Sequence, residues 1–109
     1  MNKLLVYVIG AYSGDVVNNT KKAEDISLQL IRDGYHVITP HKNTFGYEKY
    51  EDRNLTYETW IEMDLNILSR CDVVFVINNV DKSKGAKLEI EYAKKLGLKI
   101  IYEEEYEHK

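Results

Sequence analysis

The sequence is poor in cysteine and proline and has no long apolar run, and these shortages exclude several classes of protein. The single cysteine, Cys71, cannot form an internal disulfide and rules out a cysteine-rich zinc site. No apolar run approaches the roughly 20 residues of a membrane-spanning helix. Residues 4–9 form too short a run for a signal peptide and lack its cleavage pattern. We therefore expect a cytoplasmic protein that does not associate with membranes.

An excess of positive charge is also absent. The formal net charge of the 109-residue chain is -3, so the sequence lacks the excess of basic residues that binding to duplex nucleic acid requires. Hydrophobic residues make up 44% of the chain and charged residues 30%, which is typical of a folded globular protein and not of a disordered one. This length corresponds to one small domain, and we expect residues 1–109 to form it.

Four short apolar runs alternate with three segments of helical periodicity. The predicted strands are residues 4–9, 35–39, 71–77 and 98–102. The predicted helices begin near Asn18 or Asn19, near Asn54 or Thr56, and near Asp81 or Ser83, and they end near Gly34, Arg70 and Gly97. The first helix is expected to bury Ala23, Ile26, Leu30 and Ile31. This order predicts an α/β, three-layer flavodoxin-like or Rossmann-like fold, with a mostly parallel sheet in the order 2-1-3-4 and helices on both faces.

Two glycine-containing turns follow the first and third predicted strands. The first, Gly10-Ala11-Tyr12-Ser13-Gly14-Asp15, matches neither a dinucleotide-binding GxGxxG sequence nor a Walker loop. The second contains Ser83 and Gly85, and Ser83 is as well suited to cap a helix as to contact a ligand. In the order 2-1-3-4 both turns flank one crevice at the carboxyl edge of the sheet, where open α/β sheets bind ligands.

Two carboxylates occupy helix faces that would otherwise be apolar. At about 100° per residue, Glu89 falls among the small and apolar residues of its helix, and Asp64 projects between Trp60 and Leu68. Burying an unpaired charge is costly, so such a residue usually has a partner or a task. Paired carboxylates beside a crevice suit chemistry at the anomeric carbon of a sugar, where one attacks C1′ and the other protonates the departing group.

Each of these residues also has a structural interpretation. Glu89 can form a buried ion pair with a lysine or reach solvent from the helix edge, and Asp64 can bond the backbone amides of a neighbouring loop. Tyr7, on a buried strand, is either a core residue or part of a site. The tyrosine-rich connection at residues 41–53 is either a functional loop such as a lid or a mobile surface loop, and His41 is expected at the surface.

No metal or cofactor is expected. The three histidines, His36, His41 and His108, show no metal-ligand spacing, and no nucleophile elbow of the form GxSxG is present. The predicted partner is a small molecule bound in the crevice.

Three segments carry a resemblance to a known family. They are YVIG at residues 7–10, MDL at 63–65 followed by CDVV at 71–74, and SKGAKLE at 83–89. Their order and spacing resemble the nucleoside 2-deoxyribosyltransferase superfamily, which includes the 2′-deoxynucleoside 5′-monophosphate N-glycosidases. The resemblance covers nearly all of residues 4–102, and it is strongest to a short branch found in bacterial and phage genomes.

The resemblance implies a retaining N-glycosidase acting on a nucleoside 5′-monophosphate or a related nucleotide. Glu89 would be the nucleophile that forms a glycosyl-enzyme intermediate, Asp64 would contact the base or act as general acid, and Tyr7 would orient the nucleophile. The residues implied to line the sugar and its 5′ end are Gly10, Ala11, Tyr12, Ser13, Ser83 and Gly85. Ser83 favours hydrolysis of a monophosphate, because the transferases of the family carry an acid at that position.

Two features depart from the family pattern. Ser13 stands where the monophosphate hydrolases place an arginine, so one phosphate contact is missing. Family members also continue beyond the end of this sequence, with residues that complete a neighbouring subunit's site, and the resemblance therefore implies a homo-oligomer. The alternative functions are a non-catalytic nucleotide-binding module, a protein-interaction module of the same fold, and a deoxyribosyltransferase.

Overall fold

A computed structural model describes residues 3–106 of the chain. It contains the strands β1 (Leu5–Ile9), β2 (His36–Ile38), β3 (Val73–Val76) and β4 (Lys99–Tyr102). The helices are α1 (Val16–Arg32), α2 (Pro40–Asn43), α3 (Tyr57–Leu68) and α4 (Lys84–Leu96), with short 3₁₀ segments at Tyr47–Tyr50 and Glu103–Glu105. The sheet order is β2-β1-β3-β4, and every pair of neighbouring strands is parallel. The predicted fold class and strand order are confirmed.

Side chains alternate between the two faces of the sheet and build two separate apolar cores. The first core, which packs against α3 and α4, contains Tyr7, Ile9, Leu68, Cys71, Val74, Val76, Ala86 and Ala93. The second, which packs against α1, contains Val6, Val8, Ala23, Leu30, Val73, Phe75 and Ile77. Because both faces of β1 and β3 are covered, these central strands are apolar at every position, as a doubly covered parallel sheet requires. The segment after β4 joins the second core, where the rings of Phe75 and Tyr106 lie 5.3 Å apart, edge to face.

Helix α1 begins earlier than the sequence predicted. Asp15 caps it by accepting a hydrogen bond from the backbone N–H of Asn18 at 3.2 Å, so the helix starts at Val16 and not near Asn18 or Asn19. The expectation that Ile31 is buried is wrong, since its side chain is 51% exposed. The buried face is centred on Ala23, Ser27 and Leu30, and a residue one step beyond Leu30 is turned by about 100° toward solvent.

The connection at residues 41–53 contains most of α2 and the 3₁₀ segment Tyr47–Tyr50. Pro40 occupies the first position of α2, where its missing N–H costs nothing, and it turns the following residue inward. His41 is therefore buried, with 4% of its surface exposed, and the expectation that it lies at the surface is wrong. The role of this segment as a lid stays a prediction. Among the helices of residues 3–106, none combines the length and the apolar character needed to cross a membrane.

Candidate active site

A cavity of about 970 Å³ opens at the carboxyl ends of β1 and β3, the point where the strand order reverses. The turn after β1 and the turn before α4 both line it, as the strand order predicted. The sequence-predicted residues that line the cavity are Gly10, Ala11, Tyr12, Ser13, Asp64, Ser83, Gly85 and Glu89. Helix α3 and the segment between β2 and α3 form the opposite wall. The geometry thus brings eight of the nine predicted site residues to a single cavity, and the ninth, Tyr7, contacts Glu89 from the core.

Glu89 lies at the bottom of this cavity and is 7% exposed. Its carboxylate oxygen Oε2 accepts a short hydrogen bond from the hydroxyl of Tyr7. The ring of Tyr7 is fully buried in the core between the sheet and α4, so Tyr7 is at once a core residue and the partner of Glu89. Within the described part of the chain, no lysine pairs with Glu89. The ion-pair interpretation of this residue is therefore not observed.

Burial changes the acidity of both carboxylates in the cavity. Desolvation raises the pKa of Glu89 from its ordinary value of 4.5 to about 8, although the hydrogen bond from Tyr7 acts in the opposite direction. The negative charge of Asp64 raises it further. Desolvation also raises the pKa of Asp64 from 3.8 to about 6. Because the charge of Asp64 raises the pKa of Glu89, ionisation of Asp64 disfavours ionisation of Glu89.

Asp64 reaches the cavity from the middle of α3. Its oxygen Oδ1 is buried and has no hydrogen-bond partner among residues 3–106. The residues predicted by helical spacing to face inward on α3 are Tyr57, Trp60, Ile61, Leu65 and Leu68. Tyr57 is exposed and Trp60, Ile61 and Leu65 are only half-buried, because the N-terminal half of the helix overhangs the cavity instead of packing on the sheet. Only Leu68, near the end of the helix, is fully buried. A carboxylate in this position meets the space that a ligand would fill.

The turn after β1 is held by two side chains, those of Asn79 and His41, that the sequence analysis did not assign to the site. The backbone N–H of Ala11 donates to Oδ1 of Asn79 at 3.0 Å, and Nε2 of His41 donates to the carbonyl oxygen of Ala11 at 2.8 Å. Gly10 allows this close packing, because a Cβ there would lie 2.7 Å from Cδ1 of Ile77 and 3.3 Å from Cε1 of His41.

The second turn places the N-terminus of α4 at the cavity. The side chain of Ser83 caps the helix by accepting a hydrogen bond from the N–H of Ala86 at 3.1 Å. Gly85 faces α3, where a Cβ would meet the Tyr57 hydroxyl at 3.2 Å. Two basic residues, Lys82 and Lys84, flank Ser83 and also line the cavity. This end of the cavity is suited to an anion, since the amides of a helix N-terminus carry partial positive charge.

Aromatic and acidic side chains complete the outer wall. The hydroxyl of Tyr12 donates to Glu48 at 3.1 Å, and the indole N–H of Trp60 donates to Glu51 at 2.5 Å. These bonds connect the 3₁₀ segment and the residue that follows it to the first turn and to α3.

A metal site is a separate question. Within residues 3–106, no three His, Cys, Asp or Glu side chains are grouped closely enough to hold a metal ion. His108 lies outside the described residues.

Comparison with known protein families identifies the family to which this chain belongs. Residues 4–102 match the family described as a domain of unknown function, DUF4406. The chain belongs to the DUF4406 family. No curated protein matches the sequence of this DUF4406 domain.

Solved structures share the fold of the DUF4406 domain at low sequence identity. A 2-deoxyribosyltransferase from Bacillus psychrosaccharolyticus superposes with a TM-score of 0.67 and 19% identity, covering 90% of this chain and 70% of the enzyme. A 2-deoxyribosyltransferase from Leishmania mexicana gives a TM-score of 0.65 and 13% identity, covering 93% of this chain and 63% of the enzyme. A CMP N-glycosidase from Clostridium botulinum superposes with a TM-score of 0.60 and 23% identity, covering 90% of this chain and 66% of the enzyme. These neighbours are enzymes, and they confirm the resemblance to the nucleoside 2-deoxyribosyltransferase superfamily at the level of fold.

Sequence reasoning missed three groups of residues around the DUF4406 cavity. Asn79 follows the predicted third strand at the same sheet edge as Gly10, and this position is sufficient to predict that Asn79 lies at the cavity. His41 carried a weaker signal, since it follows a proline that can open a helical turn. The pairing of Tyr12 with Glu48 and of Trp60 with Glu51 had no signal in the sequence, because it depends on how an irregular segment folds over the cavity.

Proposed function

We propose that this protein is a retaining N-glycosidase that cleaves the bond between base and sugar in a nucleoside 5′-monophosphate or a related nucleotide. The observation that carries the proposal is the pairing of Glu89 with Tyr7 at the bottom of a cavity that Asp64 also enters. Glycosidases of this type need one ionised carboxylate and one protonated carboxyl group on the same site. With the pKa of Glu89 raised to about 8 and that of Asp64 to about 6, one proton remains near neutral pH and lies mainly on Glu89 in the ligand-free protein, so the reaction requires this proton to pass to Asp64 before Glu89 attacks.

The reaction proceeds in two displacements. In the first, the Glu89 carboxylate bonds to C1′, the bond between C1′ and the base nitrogen breaks, and its electron pair leaves with the base, which takes a proton from Asp64. In the second, water bonds to C1′, the ester to Glu89 breaks, and the proton of the water passes to Asp64. Tyr7 orients Glu89 by donating its hydroxyl proton to Oε2, and it stays protonated because burial and the nearby carboxylates raise its pKa.

A 5′-phosphate is the expected anionic part of the substrate. Ser83 and Gly85 line the cavity at the N-terminus of a 13-residue helix, where Lys82 and Lys84 add positive charge. Ser13 provides no cation in the first turn, so these two lysines supply the charge that the first turn lacks. The CMP N-glycosidase among the structural neighbours is compatible with this choice of substrate.

The test is the release of free base, measured by chromatography, from a panel of ribo- and deoxyribonucleosides and their 5′-monophosphates. Wild type is compared with Glu89→Gln and with the control Glu91→Gln, which changes a solvent-exposed carboxylate on the same helix. We expect release by wild type and by the control, and a loss of at least about 1,000-fold in Glu89→Gln.

Two results would overturn the proposal. Equal release by Glu89→Gln would remove Glu89 from the chemistry. No release by wild type, together with a rise in Tm on adding one of the monophosphates, would indicate a nucleotide-binding module without turnover. Adding a second free base to the reaction distinguishes hydrolysis from transfer, because a transferase forms a new nucleoside with the added base.

A further inference from the structure

We propose that Asn19, His41 and Asn79 are positioning residues that hold the turn at residues 11–13 in the shape that lines the cavity. The proposal deepens the proposed function, because this turn is the part of the cavity that β1 contributes. The three side chains come from α1, from α2 and from the segment between β3 and α4. None of them needs to touch the reacting atoms to act in this way.

The turn is bonded at four backbone atoms. Asn79 accepts from the N–H of Ala11 at 3.0 Å, and His41 donates to the carbonyl of the same residue at 2.8 Å. The side-chain amide of Asn19 donates to the carbonyl of Tyr12 at 3.3 Å and to that of Ser13 at 3.0 Å. All three carbonyls of the turn therefore accept a hydrogen bond from a neighbouring element.

The three positioning residues also support one another. The side-chain N–H of Asn79 donates to the side-chain oxygen Oδ1 of Asn19 at 3.5 Å, so the two asparagines that bond the turn also bond each other. They are 60 residues apart in the sequence, and only the folded sheet brings them together. An irregular turn has no ladder of its own to satisfy its backbone groups, which explains why side chains perform that task here.

His41 must act as a donor in this arrangement. A backbone carbonyl only accepts hydrogen bonds, so Nε2 of His41 carries the hydrogen and Nδ1 of the neutral ring does not. Burial lowers the pKa of His41, which keeps the ring neutral at pH 7. A glutamine amide can place a donor in the same position, whereas a leucine of similar size cannot. The pair His41→Gln and His41→Leu therefore isolates the hydrogen bond from the packing.

The first readout is amide hydrogen exchange, measured by NMR on the ligand-free protein. We expect the exchange rate of the Ala11 amide to rise at least 10-fold in Asn79→Ala and in His41→Leu, and to stay near the wild-type rate in His41→Gln. Asn78→Ala is the matched control, because the neighbouring Asn78 side chain bonds Lys22 at the surface and does not touch the turn. The amides of Val74 and Phe75 in β3 serve as the internal reference.

Two exchange results would refute the proposal. The first is a wild-type rate at Ala11 in both Asn79→Ala and His41→Leu. The second is an equal rise at Ala11 and at the β3 reference amides, which would mean that the residues stabilise the whole fold and not the turn. Because this readout needs no ligand, it decides the proposal even if the protein proves to have no glycosidase activity.

The second readout applies to whichever monophosphate is hydrolysed in the base-release panel. A misplaced turn weakens substrate binding more than it changes the groups that react, so we expect KM to rise about 10-fold or more in Asn79→Ala and His41→Leu, with kcat within about 3-fold of wild type. His41→Gln should restore KM. An unchanged KM in both variants would refute the link between the turn and the substrate.

Discussion

Replacing Glu89 by glutamine should change how the stability of the protein depends on pH. Glutamine has nearly the same shape as glutamate, and its carbonyl oxygen can still accept the hydrogen bond from Tyr7. It does not titrate, so it removes the buried ionisable group and little else. The substitution therefore isolates the effect of the charge on folding.

The size and sign of the effect follow from the pKa of Glu89. Burial raises this pKa from 4.5 to about 8, so between these pH values the unfolded chain has lost the proton while the folded chain retains it. The free energy of unfolding of wild type must then fall as the pH rises, because the unfolded state binds fewer protons. Each pKa unit is worth about 1.4 kcal/mol, and from pH 5 to pH 9 the loss comes to about 4 kcal/mol.

The assay is urea denaturation of wild type and Glu89→Gln at intervals between pH 5 and pH 9. We expect the stability of Glu89→Gln relative to wild type to increase by about 4 kcal/mol over this range, with most of the change below pH 8. The control is Glu91→Gln, whose side chain is 73% exposed and should leave the pH dependence unchanged. Parallel curves for wild type and Glu89→Gln would mean that the carboxylate is hydrated in the folded protein, and the argument from burial would fail.

Four further predictions concern the same cavity. Tyr7→Phe removes the hydroxyl that donates to Glu89, so the free energy of unfolding at pH 6, measured by urea denaturation, should fall by about 1–3 kcal/mol. In pH-rate measurements the kcat/KM of wild type should be bell-shaped, with limbs at about pH 6 and pH 8 that follow the paired Asp64 and Glu89, and a flat profile would contradict the pairing. Gly10→Ala should cost about 1–3 kcal/mol on denaturation, because the added methyl overlaps a core side chain. Ser83→Ala should cost about 1 kcal/mol through the lost cap, and unchanged stability would show that the cap contributes nothing.

The fold could be predicted from the sequence because the apolar runs of the strands and the apolar stripes of the helices are regularly spaced. Their spacing places the central strands, and the glycine that ends α4, Gly97, adopts the left-handed conformation that such a position favours. Asp64 and Glu89 stood out for the same reason, since a carboxylate on an apolar stripe breaks a pattern that is otherwise regular. Periodicity thus located both the core and its two exceptions.

The residues that hold the turn after β1 could not be recognised from a periodic pattern in the sequence. Asn19, His41 and Asn79 bond backbone atoms that are between 6 and 68 residues away in sequence, and such bonds follow no period. His41 was also placed wrongly, because the inward turn depends on Pro40 opening a short helix and not merely ending a strand. Contacts from side chain to backbone across an irregular segment become visible only once the strands have been arranged in space.

The double role of Tyr7 has a consequence for redesign of this protein. Its ring fills the core and its hydroxyl bonds Glu89, so repacking of the core around β1 also displaces the Glu89 carboxylate. Residues 44–56, by contrast, lie outside the sheet and reach the cavity through the side chains of Thr44, Glu48 and Glu51. A library intended to alter ligand preference should vary that segment and keep β1 and α4 constant. The cavity therefore has one wall built on the sheet and α4, which carries Glu89, and a second wall outside the sheet that can be varied separately.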